Sequence, residues 1–343
     1  MPQTPSPSRL SRRSLIKGAA AAVVTTGALA AGGARLFTPA IAGPAPKVRL
    51  AWTEVAACHS PLGFGVAKGL FAKQGVDVEL FNQGASGQTL IQALATGKAD
   101  IGSGLTFEWL KPLEQGFDVK LFAGTHGGCT RLLATEASGV SDLQSLRGKT
   151  IVSYDVASPP KQSFQVALAK AGLDPERDVN WTVAPFDLLG EVAARGGADA
   201  VAQLDPWAWS LQKQHKFKLI ADTQTGVFQD AVCCVLGANG PFLEQNRDAL
   251  QRVAAANIEI HEYAAAHPEE VAAWYKQALN PAGLSTEDLA EILAGFVLHN
   301  HPVGAPLVRE IARASSDLKL IKVIDEGTDP EDFARRITVN LLG

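Results

Sequence analysis

Val48-Arg49-Leu50-Ala51-Trp52, followed by Thr53-Glu54-Val55-Ala56-Ala57-Cys58-His59-Ser60-Pro61, opens the stretch to Trp109 whose reading decides the fold. The first five residues read as a strand and the next nine as a loop. A helix over Leu62 to Gln74, a strand over Val76 to Asn82, a helix over Gln88 to Thr96 and a strand over Ala99 to Gly102 come next. Each apolar run is followed by a small or polar loop and then a helix, the pattern of a parallel sheet that gathers its loops at the carboxyl ends of its strands. The loops Thr53 to Pro61, Gly84 to Gly87 and Ser103 to Glu108 should therefore form one mouth. All three run into helix starts, where unpaired backbone N–H groups favour an acceptor or anion. A small-molecule site is expected there.

The motifs Ser60-Pro61-Leu62-Gly63-Phe64-Gly65-Val66-Ala67-Lys68-Gly69-Leu70-Phe71, Ala93-Leu94-Ala95-Thr96-Gly97-Lys98-Ala99-Asp100-Ile101-Gly102, Leu146-Arg147-Gly148-Lys149 and Ala198-Asp199-Ala200-Val201 stand in a definite order, with Asp205-Pro206-Trp207 last. Together they resemble the periplasmic substrate-binding proteins of the nitrate, sulfonate and taurine ABC importers, over about Lys47 to Leu243. The resemblance implies an α/β fold of the type II periplasmic binding class: two α/β lobes, a two-crossing hinge, a cleft ligand and a helical C-terminal tail. It also implies a monomer that hands a small-molecule solute to a permease and its ATPase, without chemistry and without a cofactor. The implied boundaries are a first lobe over 43–137, a second over 138–224 and a return to the first over 225–343. A pyrimidine thiamine precursor is a second ligand class that the resemblance permits.

The remaining pattern agrees with that plan. Strands are expected at Val119 to Ala123 and Thr130 to Ala134, around the glycine-rich loop Gly124 to Cys129. Strands at Thr150 to Ser153, Val179 to Val183, Ala200 to Leu204 and Lys218 to Ala221 alternate with helices, and Ala231 to Gly237 brings the chain back. From Pro241 onward the apolar spacing is three and four, which predicts packing helices.

Upstream, Ser11-Arg12-Arg13-Ser14-Leu15-Ile16-Lys17 precedes a weakly apolar run and Ala40-Ile41-Ala42. This is the pattern of a twin-arginine signal over 1–42, read by the twin-arginine export machinery and cut after Ala42, and it implies a periplasmic protein. The formal net charge of -4 and the lack of a basic face exclude nucleic-acid binding as the reading of choice. No phosphate loop, nucleophile elbow or His-Glu-x-x-His pair is present.

The loops supply the candidate ligand contacts: Glu54, Cys58, His59, Ser60, Ser86, Gly87, Thr106, Glu108, His126, Cys129, Asp155, Ser158, Phe186, Asp205, Trp207 and Cys233. Arg and Lys are scarce among them, which departs from an oxyanion site. All four cysteines fall on segments expected to meet at the cleft, so Cys58, His59, His126, Cys129, Cys233 and Cys234 are candidates for a soft metal or a thiophilic ligand. Disulfides or plain packing are the alternatives for these thiols. A thiol enzyme using Cys58 with His59, or Cys129 with His126, is the rival from another class. Asp205 is also placed to cap the helix after Pro206, and Glu108 to sit in a first helical turn. As neighbours on an extended strand, Cys233 and Cys234 should point to opposite faces.

Overall fold

The computed structural model describes residues 45–279 and 281–343. The twin-arginine segment and its cleavage site lie outside the described residues. In chain order the strands are β1 (Lys47–Trp52), β2 (Asp77–Asn82), β3 (Ile101–Leu105), β4 (Val119–Gly127) and β5 (Thr130–Ala134). They continue with β6 (Thr150–Ser153), β7 (Asn180–Val183), β8 (Ala200–Leu204), β9 (Lys218–Asp222) and β10 (Val232–Asn239). They form two five-stranded sheets, in the orders β2-β1-β3-β10-β4 and β7-β6-β8-β5-β9.

The two sheets share one plan. In the first, β1 pairs in parallel with β2 and β3, and β10 runs antiparallel between β3 and β4. In the second, β6 pairs in parallel with β7 and β8, and β5 runs antiparallel between β8 and β9. Helices cover the apolar runs. The long helix Arg247–Ala266 buries Leu250, Val253 and Ile260 in the same core as Phe122 and Leu236 of the first sheet. The mixed α/β architecture with a helical tail is the one expected.

Boundaries differ in instructive places. The expected first lobe ran to 137, but β5 belongs to the second sheet, so the chain crosses at Gly128 and Cys129. β4 and β5 are nearly continuous in sequence, and the first strong turn signal falls only after β5, at the short helix Glu136–Ser138. At the crossing the two connections pass in contact: a Cβ on Gly128 would lie 2.2 Å from the Thr223 carbonyl oxygen, so the position has no room for a side chain. The helix expected over Leu62 to Gln74 is broken into Ser60–Ala67 and Leu70–Lys73 by Gly69, whose φ of 68° suits glycine. β3 extends through Ser103 and Gly104 to Leu105, which places those residues in the sheet rather than in a loop.

Candidate functional site

Between the lobes lies a cavity of about 350 Å³. Ser86, Gly87, Phe107 and Glu108 line it from the first lobe, and Tyr154, Asp155, Ser158 and Gln162 from the second. The helix Thr106–Glu114 starts directly after β3, so its first turn faces the mouth. There Glu108 Oε1 accepts the Leu105 N–H at 2.8 Å, the acidic arm of a capping box. Two glycines make space for this carboxyl: a Cβ on Gly87 would lie 2.5 Å from Oε2, and one on Gly104 would lie 2.1 Å from Oε1. Burial lifts Glu108 to about 8 against that hydrogen bond, with Cys233 nearby adding to the rise. Tyr154 is pushed well above its ordinary range by burial and by Glu108. The lining cation, Lys111, is held at 2.7 Å by both Glu114 and Asp325.

Other candidates make contacts within the fold. Glu54 offers its carbonyl to the Tyr275 hydroxyl at 2.9 Å. Ser60 is fully buried and its hydroxyl has no partner. Thr106 Oγ1 donates to the carbonyls of Val232 and Cys233, both at 3.1 Å, and so fastens its helix to β10. Asp205 is buried in a two-pronged pair with Arg131 Nε, at 3.0 and 2.8 Å, and accepts the Trp209 N–H at 3.1 Å in the following helix. Burial raises its carboxyl, while Arg131 opposes the rise. Phe186 and Trp207 form an edge-to-face chain with Tyr154, at 5.2 and 5.5 Å, but line a separate groove, shared with Ala282 and Gly283 of the helical tail, rather than the cavity at Glu108. Trp207 Nε1 donates to the Val55 carbonyl at 3.2 Å, and Ala57 N–H donates to the Asp205 carbonyl at 3.0 Å, so the loop after β1 rests on the end of β8.

The cysteines do converge, at the hinge rather than in the open cleft. One ligand-capable atom from each of Cys58, His126, Cys129 and Cys234 lies within 4.8 Å of all the others. All four residues are buried, and all four cysteines are free thiols. Cys129 Sγ is 3.2 Å from Cys233 Sγ. Both vicinal cysteines meet this cluster, contrary to simple alternation. The reason is a bulge: Val232 pairs with Gly127 and Cys234 with His126, leaving Cys233 as the extra residue. Burial raises the Cys58 thiol, but hydrogen bonds from Cys129 and Cys234 outweigh it and hold the group at about 6.

The histidines divide. His59 Nδ1 accepts the Thr53 N–H at 3.1 Å, which leaves its Nε2–H facing Ser103 Oγ at 3.3 Å, so this ring is not a base for Cys58. Burial, then the neighbouring imidazoles, depress it to about 3. His126 Nδ1–H donates to the Gly127 carbonyl at 2.6 Å, and its Nε2 is buried without a partner. Cys129 and His126 are adjacent but sealed from the cleft, which leaves the thiol-enzyme reading without an access route for substrate.

Among the described residues, no helix is long and apolar enough to cross a membrane. The fold is similar to that of the alkanesulfonate-binding protein SsuA of Xanthomonas axonopodis pv. citri bound to MOPS. That match has a TM-score of 0.72 and 17% identity, and covers 86% of this chain and 98% of the other. The periplasmic aliphatic sulphonate-binding protein SsuA of Escherichia coli gives 0.69 at 17% identity, over 84% and 96%. The periplasmic nitrate-binding protein NrtA of Synechocystis PCC 6803 gives 0.70 at 15% identity, over 85% and 86%. No curated protein sequence matches significantly. The family profile described as NMT1/THI5 like matches residues 56–271, well over half of the chain. The chain belongs to the NMT1/THI5-like family.

Proposed function

We propose that this protein is the solute-binding component of an ABC importer, exported by the twin-arginine route to the periplasm, where it captures a small molecule between its lobes and delivers it to a permease. The observation that carries this reading is the cavity of about 350 Å³ walled by Glu108 from one lobe and Tyr154 from the other, since a ligand touching both holds the lobes together. The relatives named for sulfonate and nitrate binding support capture as the role. The wall of this cavity argues for a different solute. Its cation is committed to Glu114 and Asp325, and Glu108, Asp155, Ser158 and Gln162 offer acceptors and neutral donors. A neutral or protonated nitrogen heterocycle of the pyrimidine class, set against Tyr154 and Phe107, matches that wall better than an oxyanion.

A thermal-shift panel of aminopyrimidines, alkanesulfonates and nitrate tests both levels. A binder present at about 100 times its Kd stabilises the folded state by about 2.7 kcal/mol. Stabilisation by the sulfonates alone would overturn the heterocycle assignment, and a flat response from every small solute would overturn capture itself.

A further inference from the structure

We infer that Cys58, His126, Cys129 and Cys234 form a closed four-coordinate site for a thiophilic d10 cation, zinc(II) in the first instance, that staples the hinge. Three sulfurs and one imidazole, mutually within 4.8 Å, are a donor set that suits zinc, spaced close to a bound tetrahedron. A tetrahedron with zinc–sulfur bonds of about 2.3 Å has edges of about 3.8 Å, so closing on the ion takes only a small contraction.

The imidazole is an independent pointer. His126 spends Nδ1–H on the Gly127 carbonyl and leaves Nε2 with a lone pair and no partner; the buried His261 does the same against the Asn257 carbonyl, but of the two rings only His126 stands among the sulfurs. That is how a metal-bound histidine is prepared, with one nitrogen tied to a carbonyl and the other free to bind. Packing alone accounts for buried thiols; an unpartnered imidazole nitrogen within reach of three sulfurs adds a fourth donor to them.

The donors also come from the right places. Cys58 lies in the short helix Ala57–His59, on the loop that rests on β8, and His126 is next to last in β4. Cys129 sits in the first crossing, where its carbonyl accepts the Asp205 N–H at 3.0 Å, and Cys234 lies near the start of β10, the strand that completes the second. An ion there ties both crossings to the β1 loop. With every donor buried no position stays open to substrate, so the site is structural rather than catalytic. Cys233, half-exposed beside Cys129, is left outside the set and lines a small adjoining cavity with Thr106 and Pro159.

The test titrates the reduced full chain with cobalt(II) and then zinc(II). The expected result is one cobalt(II) per chain with the intense visible bands of a tetrahedral thiolate site, bleached by one equivalent of zinc(II), and a higher melting temperature with zinc(II). Cys58→Ser, Cys234→Ser and His126→Gln should each weaken zinc(II) binding by about 100-fold or more, while Cys233→Ser keeps the spectrum; circular dichroism checks that each variant is folded. Absence of thiolate-cobalt bands in the reduced chain overturns the inference. So does an unchanged spectrum in folded Cys58→Ser, or isolation of the exported protein without metal and with fewer than four free thiols.

Discussion

β5 and β10 occupy equivalent places in the two sheets. Each is the antiparallel strand inserted beside the third parallel one, and each begins at the hinge, having come from the other lobe. Their hinge ends differ completely. β5 opens with Thr130-Arg131, pairs with β8 in register and shifts against β9 only between Leu132 and Leu133, and it buries a charge pair between Arg131 and Asp205. β10 opens with Val232-Cys233-Cys234, bulges against β4, and brings sulfur to an imidazole. Topology is repeated and hinge chemistry is not, because residues at a crossing belong to neither sheet's repeating core and are free to specialise. One lobe is closed at its base by electrostatics, and the other by soft donors.

The largest expected effect comes from breaking the charged end. Arg131→Met leaves Asp205 buried with the Trp209 N–H and without its cation, and also removes the guanidinium stacked 5.1 Å from the Trp209 ring. A loss of about 3–5 kcal/mol is expected in urea unfolding, because the cost is that of an uncompensated buried charge. The double variant Arg131→Met with Asp205→Leu should regain much of it. A single-variant loss below about 1 kcal/mol would mean that the pair is solvated and that the contrast between the two strands is not one of buried charge.

Much of this contrast was already written in the residues, and the reasons for what was not are physical. The alternation of apolar runs and helices placed β1, β2, β3, β6, β7 and β8, because parallel units announce themselves by period and by the loops after each strand. β5 falls to the wrong lobe because the glycine-rich Gly124 to Cys129 reads as a loop within one lobe, whereas β4 runs on through Gly127 and only Gly128 and Cys129 join it to β5. The meeting of Cys58, His126, Cys129 and Cys234 was expected from loop placement, but the bulge that turns both Cys233 and Cys234 inward depends on pairing with β4, which no local pattern records. Tyr154 was missed as a cleft wall although it directly follows Ser153, the end of a parallel strand, and that position was the available signal. Phe186 and Trp207, expected on the ligand's wall, meet Tyr154 edge-to-face in a chain and line a groove apart from the Glu108 cavity.

A pH series sharpens the comparison on the soft side. Glu108 faces Tyr154 and Asp155 across the cavity, has Cys233 beside it, and has Lys111 one turn on, already paired with Glu114 and Asp325. Its carboxyl titrates at about 8 in the folded chain, against an ordinary value near 4.5. Between those values the native state holds a proton that the unfolded chain has released, so stability falls as pH rises through this window. For a partly exposed group the loss is about 2 kcal/mol between pH 5 and 8. Glu108→Gln, which keeps the shape and stays neutral, should flatten that slope in denaturant titrations while leaving stability at pH 5 nearly unchanged. A slope identical in both proteins would move the buried proton elsewhere.

The smallest effect concerns how the two ends are coupled. The β1 loop, which carries Cys58, meets the end of β8, which carries Asp205, through the Ala57 N–H to Asp205 carbonyl bond and the Trp207 Nε1–H to Val55 carbonyl bond. Each such bond contributes about 0.5–1.5 kcal/mol net. Lobes that must part to release a solute need joints of that size, since a joint worth several times more would hold the cleft shut. Trp207→Phe keeps an aromatic ring beside Phe186 but loses the N–H donor and part of the indole's packing, so the melting temperature should fall slightly, by the equivalent of about 1–2 kcal/mol. In solution scattering the unliganded variant should sample a larger radius of gyration than the parent, and saturating solute should return it to the parent's value, because the ligand's own contacts to Glu108 and Tyr154 replace the lost bond. A destabilisation above about 3 kcal/mol, or a radius insensitive to both the substitution and the solute, would show that this joint belongs to the rigid frame and that opening takes place elsewhere in the molecule.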